Sequence, residues 1–133
     1  MDSPPNAISG DSGLADKLVL IVEDDADLRQ TIQWMLEDEG FAVETAGDGR
    51  EALDRAVRKK PSLVILDMGL PIIDGFGVAE GLHATYGDGI KILTLTADGR
   101  AAEKSKRIGA IGYLNKPFDL DALITAVQEA LTM

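Results

Sequence analysis

The chain contains no cysteine. Disulfides, thiol chemistry and cysteine-ligated zinc are therefore excluded, and the absence fits a cytoplasmic protein. Long apolar runs are missing too. The longest, Leu18–Val22 and Leu63–Leu66, are far too short to cross a bilayer, which takes about 20 residues, so no membrane insertion is expected. Basic residues are outnumbered, 13 Lys+Arg against 23 Asp+Glu, for a net charge of −10. That balance argues against direct nucleic-acid binding, which needs cations to neutralise phosphates, but it leaves room for a local cation site. No signal-peptide pattern opens the chain. The first strand runs into "EDDAD" rather than a glycine-rich turn, so neither a dinucleotide fingerprint nor a phosphate loop is present.

What remains is 133 residues, 45% of them hydrophobic, enough for one soluble domain with one core. Residues 1–15, "MDSPPNAISGDSGLA", have almost no apolar pattern and read as a flexible tail. Residues 16–133 read as one domain in which strands and helices alternate. "KLVLIV", "FAVETA", "SLVIL", "IKILTLT" and "IGYLN" are the strands. The first helix, "ADLRQTIQWMLEDEG", carries Leu28, Ile32 and Leu36 on one stripe and closes at Gly40. "GREALDRAVRKK", a weaker "FGVAEGLHATYG" containing Gly81, a short "RAAEKSKRIG" and "DLDALITAVQEALTM" follow. The last shows Leu120, Leu123, Ile124, Val127 and Leu131 on one face. Strands apolar on both faces indicate a parallel sheet covered on both sides, hence a doubly wound α/β sandwich.

In such sheets ligands bind past the carboxyl ends of the strands, where the strand order reverses. The first strand ends in Glu23, Asp24 and Asp25, the third in Asp67, the fourth in Thr96, and the fifth leads into Lys116 and Pro117. Several carboxylates on one rim repel one another unless compensated. A hard divalent cation such as Mg²⁺ would do so, as would a lysine ammonium. With a threonine hydroxyl alongside, the set suits a phosphoryl group, and an aspartate can be its nucleophile. Taken alone, each residue has a plainer reading. Asp67 could form a turn, and Asp25 reads as a cap of the first helix. Asp74–Gly75 reads as a turn and helix start, and Thr96 could be a plain strand former. Tyr113 could be a packed ring. His83, the only histidine, reads as a surface residue of the third helix, and Trp34 falls off the apolar stripe.

Together, "VLIVEDDADLR", "LVILDMGLPIIDGFG", "ILTLTA" and "GAIGYLNKPF" resemble, in order and spacing, the receiver domain of two-component response regulators. The resemblance covers roughly residues 17 to 132. It implies a flavodoxin-like (βα)5 sandwich with strand order 2-1-3-4-5. It implies that Asp67 is the phospho-acceptor, charged by a histidine kinase or a histidine phosphotransfer protein in a reaction that uses Mg²⁺ (or Mn²⁺). Asp24 is then a direct metal ligand, Glu23 a second acid acting largely through water, and the Gly69 carbonyl a third protein ligand. Thr96 is the switch hydroxyl with the Ala97 amide beside it, Lys116 the phosphate-binding lysine with a cis bond to Pro117, and Tyr113 the aromatic switch. The first helix, with Trp34, faces kinase partners in this family. The resemblance further implies a signalling switch that assists its own phosphorylation and dephosphorylation, rather than a dedicated enzyme.

Some positions depart from the family pattern. Gly109 follows Thr96 by thirteen positions (109 − 96), fewer than the family commonly has, so the loop or helix after the fourth strand should be short. Gly69 and Asp98 stand where bulkier or more varied residues tune the lifetime of the phosphoryl group. The acidic pair and arginines of one family dimer mode are replaced by "IG" and "TAVQEAL". Two other functions share the fold. A pure interaction module usually lacks an acid, the Thr or the Lys, and all are present here. A Mg²⁺-dependent phosphohydrolase needs an acid two residues after the nucleophile, where this chain has Gly69.

Overall fold

The computed structural model describes residues 17–97 and 99–132. The tail expected over 1–15 and the departure at Asp98 lie outside them. In chain order the elements are β1 (Leu18–Val22), α1 (Ala26–Asp38), β2 (Ala42–Ala46), α2 (Gly49–Arg58), β3 (Leu63–Asp67), α3 (Gly75–Tyr86), a 3-10 turn (Gly87–Gly89), β4 (Ile92–Thr96), α4 (Ala101–Ile108), β5 (Gly112–Asn115) and α5 (Leu120–Leu131).

The five strands form one sheet in the order β2-β1-β3-β4-β5, every pair parallel. Because side chains alternate along a strand, the apolar strands feed two cores. Leu20, Val22, Val64, Leu66 and Ile92 pack with Ala52, Ala56, Val78 and Leu82 of α2 and α3. Val19, Ile21, Leu63, Ile65, Leu93 and Leu95 pack with Ile32, Leu36, Leu123 and Val127 of α1 and α5. Each fully buried aliphatic side chain contributes about 1.5–3 kcal/mol, so the central strands are held firmly from both sides. Ala130 joins the buried stripe of α5, while Leu120 is only half-buried.

Helix starts follow the short polar residues. Asp25 accepts the amides of Asp27 and Leu28 and caps α1, Asp48 accepts that of Glu51 for α2, and Asp74 that of Gly77 for α3. Gly81, which weakens α3 as a sequence, lets it approach α2: a Cβ there would come within 2.7 Å of Leu53 Cδ2. The short helix after β4 is α4, closed by Gly109 in the left-handed region at φ 70.

His83 is more than a surface residue. Its Nδ1 lies 3.0 Å from Gly87 O at the end of α3, and its Nε2 lies 2.9 Å from Ile108 O at the end of α4. Helix ends leave carbonyls open, and one imidazole spans two of them. Trp34 is exposed on α1. No helix among the described residues is long and apolar enough to cross a membrane.

Candidate functional site

The strand order sets β1 beside β3, with Val22 level with Leu66. The residues that follow, Glu23 and Asp24, therefore meet Asp67 at one rim. Carboxylate oxygens of Glu23, Asp24 and Asp67 all lie within 4.8 Å of one another. Glu23 is fully buried, Asp67 nearly so, and Asp24 is exposed.

Each buried acid is held by its own neighbours. Asp67 Oδ1 accepts the Gly69 amide at 3.1 Å, and Glu23 Oε2 accepts the Asp25 amide at 3.2 Å. The other Glu23 oxygen, Oε1, is buried as well. The Lys116 ammonium lies 2.7 Å from it as an ion-pair partner, and 3.5 Å from Asp67 Oδ2. Burial pushes the Glu23 carboxyl up to about 7. The Lys116 hydrogen bond opposes that rise and the Asp67 charge adds to it. Burial alone would lower the Lys116 ammonium, but Glu23 and Asp67 outweigh it and the net shift is upward.

This donor set fits a hard cation. It consists of oxygen ligands and it holds like charges in excess. Gly69 is exposed beside Asp67, and the absent side chain leaves the approach to that carboxylate open.

Thr96 is buried at the end of β4. Its carbonyl accepts the Lys116 amide at 2.7 Å, which ties the lysine's loop to that strand. The Lys116–Pro117 bond is cis. Ala97 follows at the exposed rim and borders an apolar groove lined also by Leu28, Pro117, Phe118 and Leu120. Tyr113 stands apart from this group. It is level with Thr94 rather than Thr96 in the β4–β5 ladder, and it is 46% exposed.

Two features of the rim escaped the sequence reading. Arg29 donates from Nη1 to Glu23 O at 2.8 Å and so steadies the acidic turn from α1. Its signal is the spacing of six residues, one helical turn past the cap. Ile72, in the loop between β3 and α3, has φ 70, a left-handed conformation that a β-branched residue rarely adopts.

The family model described as "Response regulator receiver domain" matches residues 19–128. The response regulator MprA of Mycolicibacterium vanbaalenii is 39% identical over 115 residues, covering 85% of this chain and 49% of that protein. Chemotaxis protein CheY4 of Vibrio cholerae superposes with a TM-score of 0.80 at 35% identity, covering 86% of this chain and 98% of the other. The response regulator TrrA of Thermotoga maritima, solved in complex with Mg²⁺-BeF, gives a TM-score of 0.77 at 33% identity, covering 86% and 99%. The chain spans about half the length of the curated relatives it matches. By its fold, its rim of acids and these likenesses, the chain belongs to the response regulator receiver domain family.

Proposed function

We propose that this receiver domain is a phosphoryl-accepting switch whose acceptor is Asp67. The observation that carries the reading is the constellation around it: a buried carboxylate with two acids within 4.8 Å and an ammonium 3.5 Å away. In the reaction, an Asp67 oxygen attacks phosphorus and a P–O bond forms. The P–N bond of a donor phosphohistidine breaks, and the imidazole leaves with the bonding electrons and is protonated. The donor is a histidine kinase or a histidine phosphotransfer protein, and the apolar groove beside Ala97 and Phe118 suits its docking.

Glu23, Asp24, Asp67 and the Gly69 carbonyl would hold Mg²⁺, with Mn²⁺ as a substitute. When bound, the ion neutralises carboxylate and phosphoryl oxygens as a Lewis acid. Lys116 supplies a second positive charge, and Thr96 and the Ala97 amide offer hydrogen bonds to the transferred group. Thr96 and Tyr113 are the switch residues, through which an active conformation gains population. The domain of residues 16–133 then controls a downstream protein or an output domain. It acts as a signalling switch in the cytoplasm and not as a dedicated enzyme. A phosphohydrolase reading lacks its second acid, since Gly69 occupies that position.

Incubation with Mg²⁺ and acetyl phosphate, followed by intact mass, tests the proposal. The chain should gain one phosphoryl group, and both Asp67→Asn and a chelator should abolish the gain. Absence of labelling together with absence of Mg²⁺ binding by calorimetry would favour a pure interaction module.

A further inference from the structure

Helix α4 is attached to the sheet through a polar side chain as well as through Ile108. Of its described side chains only Ser105 is buried, with Lys104 and Ile108 half-buried. An apolar residue is the ordinary anchor of a helix on a sheet, yet here the deepest contact is a hydroxyl. Ser105 Oγ hydrogen-bonds to Thr94 Oγ1 of β4, and Thr94 is itself fully buried. Ser105 Oγ also donates to Gly112 O of β5 at 3.3 Å, and Thr94 Oγ1 lies 3.5 Å from the same carbonyl. Each hydroxyl carries one proton. Donation from Thr94 to Ser105 and from Ser105 to Gly112 O satisfies both, and it joins three elements in one chain of hydrogen bonds.

The pair adds little net stability, because replacing both partners of a buried hydrogen bond by apolar groups is often close to neutral. What it adds is direction. Hydrophobic contact is non-directional and tolerates sliding, whereas a hydrogen bond fixes α4 at one height along β4. That height has meaning for the site. Thr94 and Thr96 are two apart on β4 and so face the same side of the sheet, and Gly112 immediately precedes Tyr113.

We infer that Ser105 and Thr94 are a positioning pair that latches α4 to the β4–β5 edge of the sheet, coupling the place of that helix to the strand end at Thr96. The latch stands on the contacts themselves. Only its use as a route from a phosphorylated Asp67 rests on the proposed function. Because energetic coupling is reciprocal, releasing α4 must disturb the rim even without phosphate.

The test uses the full chain without phosphodonor. Amide hydrogen exchange is followed in α4, and amide resonances are followed at Thr96 and Lys116, for Ser105→Ala and for the double variant Thr94→Val/Ser105→Ala. The double variant guards against a folding defect, since it leaves no hydroxyl unpaired and should recover most of the thermal midpoint. The expected result in both variants is α4 exchange at least tenfold faster, unchanged exchange in β1 and β3, and shifted Thr96 and Lys116 resonances. Wild-type exchange in α4 of the double variant would overturn the latch. Unshifted rim resonances would overturn the coupling. Intact mass after acetyl phosphate reports separately on Asp67, so failure of the phosphoryl reading is distinguishable from failure of the latch.

Discussion

Lys116 Nζ lies 2.7 Å from Glu23 Oε1, joining the loop after β5 to the end of β1 across the acidic rim. The same ammonium is 3.5 Å from Asp67 Oδ2. One point charge thus faces two buried carboxylates, and what happens to it decides how the rim behaves. Lys116→Met should slow phosphoryl gain from acetyl phosphate by at least about tenfold, since the transferred group loses a fixed positive charge. It should leave the fold intact, because Glu23, already raised to about 7, can take up a proton instead. A time course by intact mass, paired with a melting curve, checks both halves.

Glu23 trades stability for charge. The unfolded chain releases this proton near 4.5 and the folded chain near 7. Without divalent cation, its contribution is therefore most favourable below about 4.5 and is lost as pH rises toward 7. Glu23→Gln should remove that slope and stabilise the metal-free protein near neutral pH by on the order of 2 kcal/mol. It should also weaken Mg²⁺ binding. Chemical unfolding against pH, with and without Mg²⁺, reads both effects. A steeper metal-free slope in the variant would contradict the assignment.

His83 should titrate above its ordinary value. Its hydrogen bonds to Gly87 O and then Ile108 O raise it, burial opposes them, and Asp88 adds to the rise. Glu80, Asp88, Lys91 and Arg107 are the charged groups lining the two clefts beside His83, and of these Asp88 favours the cation. Both partners are acceptors, so only the imidazolium can donate to both. The stabilisation is fully present below about 6.5, the ordinary histidine value, and fades as pH rises through the raised native value. As the only histidine, its NMR titration assigns itself. His83→Phe should abolish this part of the pH dependence in Mg²⁺-saturated protein.

Ile72 is 76% exposed with φ 70. A left-handed conformation costs an ordinary side chain about 1–2 kcal/mol, and Asn tolerates it better. Ile72→Asn should raise stability by about 0.5–1 kcal/mol, because an exposed side chain has little packing to lose. Urea unfolding measures the gain, and a loss would show that the Ile72 side chain is in fact supported.

Local signals in the sequence predicted much of this molecule. Asp25 and Asp74 read as helix starts because a cap acts on amides two or three residues on, within sight of the pattern. The apolar runs ending in Asp67 and Thr96 pointed to buried parallel strands, and their ends to a shared rim. Arrangements that depend on long separations could not be read in this way. His83 meets Ile108 across 25 residues, and Ser105 meets Thr94 across 11, so neither contact leaves a periodic trace. A serine inside a short charged helix looks like a solvated position until the helix is seen lying against β4. The left-handed turn at Ile72 was hidden for a different reason: that conformation is normally announced by Gly or Asn, and here it is not.

The central claim is that Asp67, and no other acid of the rim, takes the phosphoryl group. Borohydride reduces an acyl phosphate to the alcohol, so aspartyl-phosphate becomes homoserine. The phosphorylated chain should be reduced, digested and mapped by mass spectrometry. Homoserine at position 67, in amounts that track the Mg²⁺-dependent mass gain, is the predicted result. Reduction at Asp24 or Glu23 instead, or a phosphoryl gain that leaves Asp67 unreduced, would contradict it.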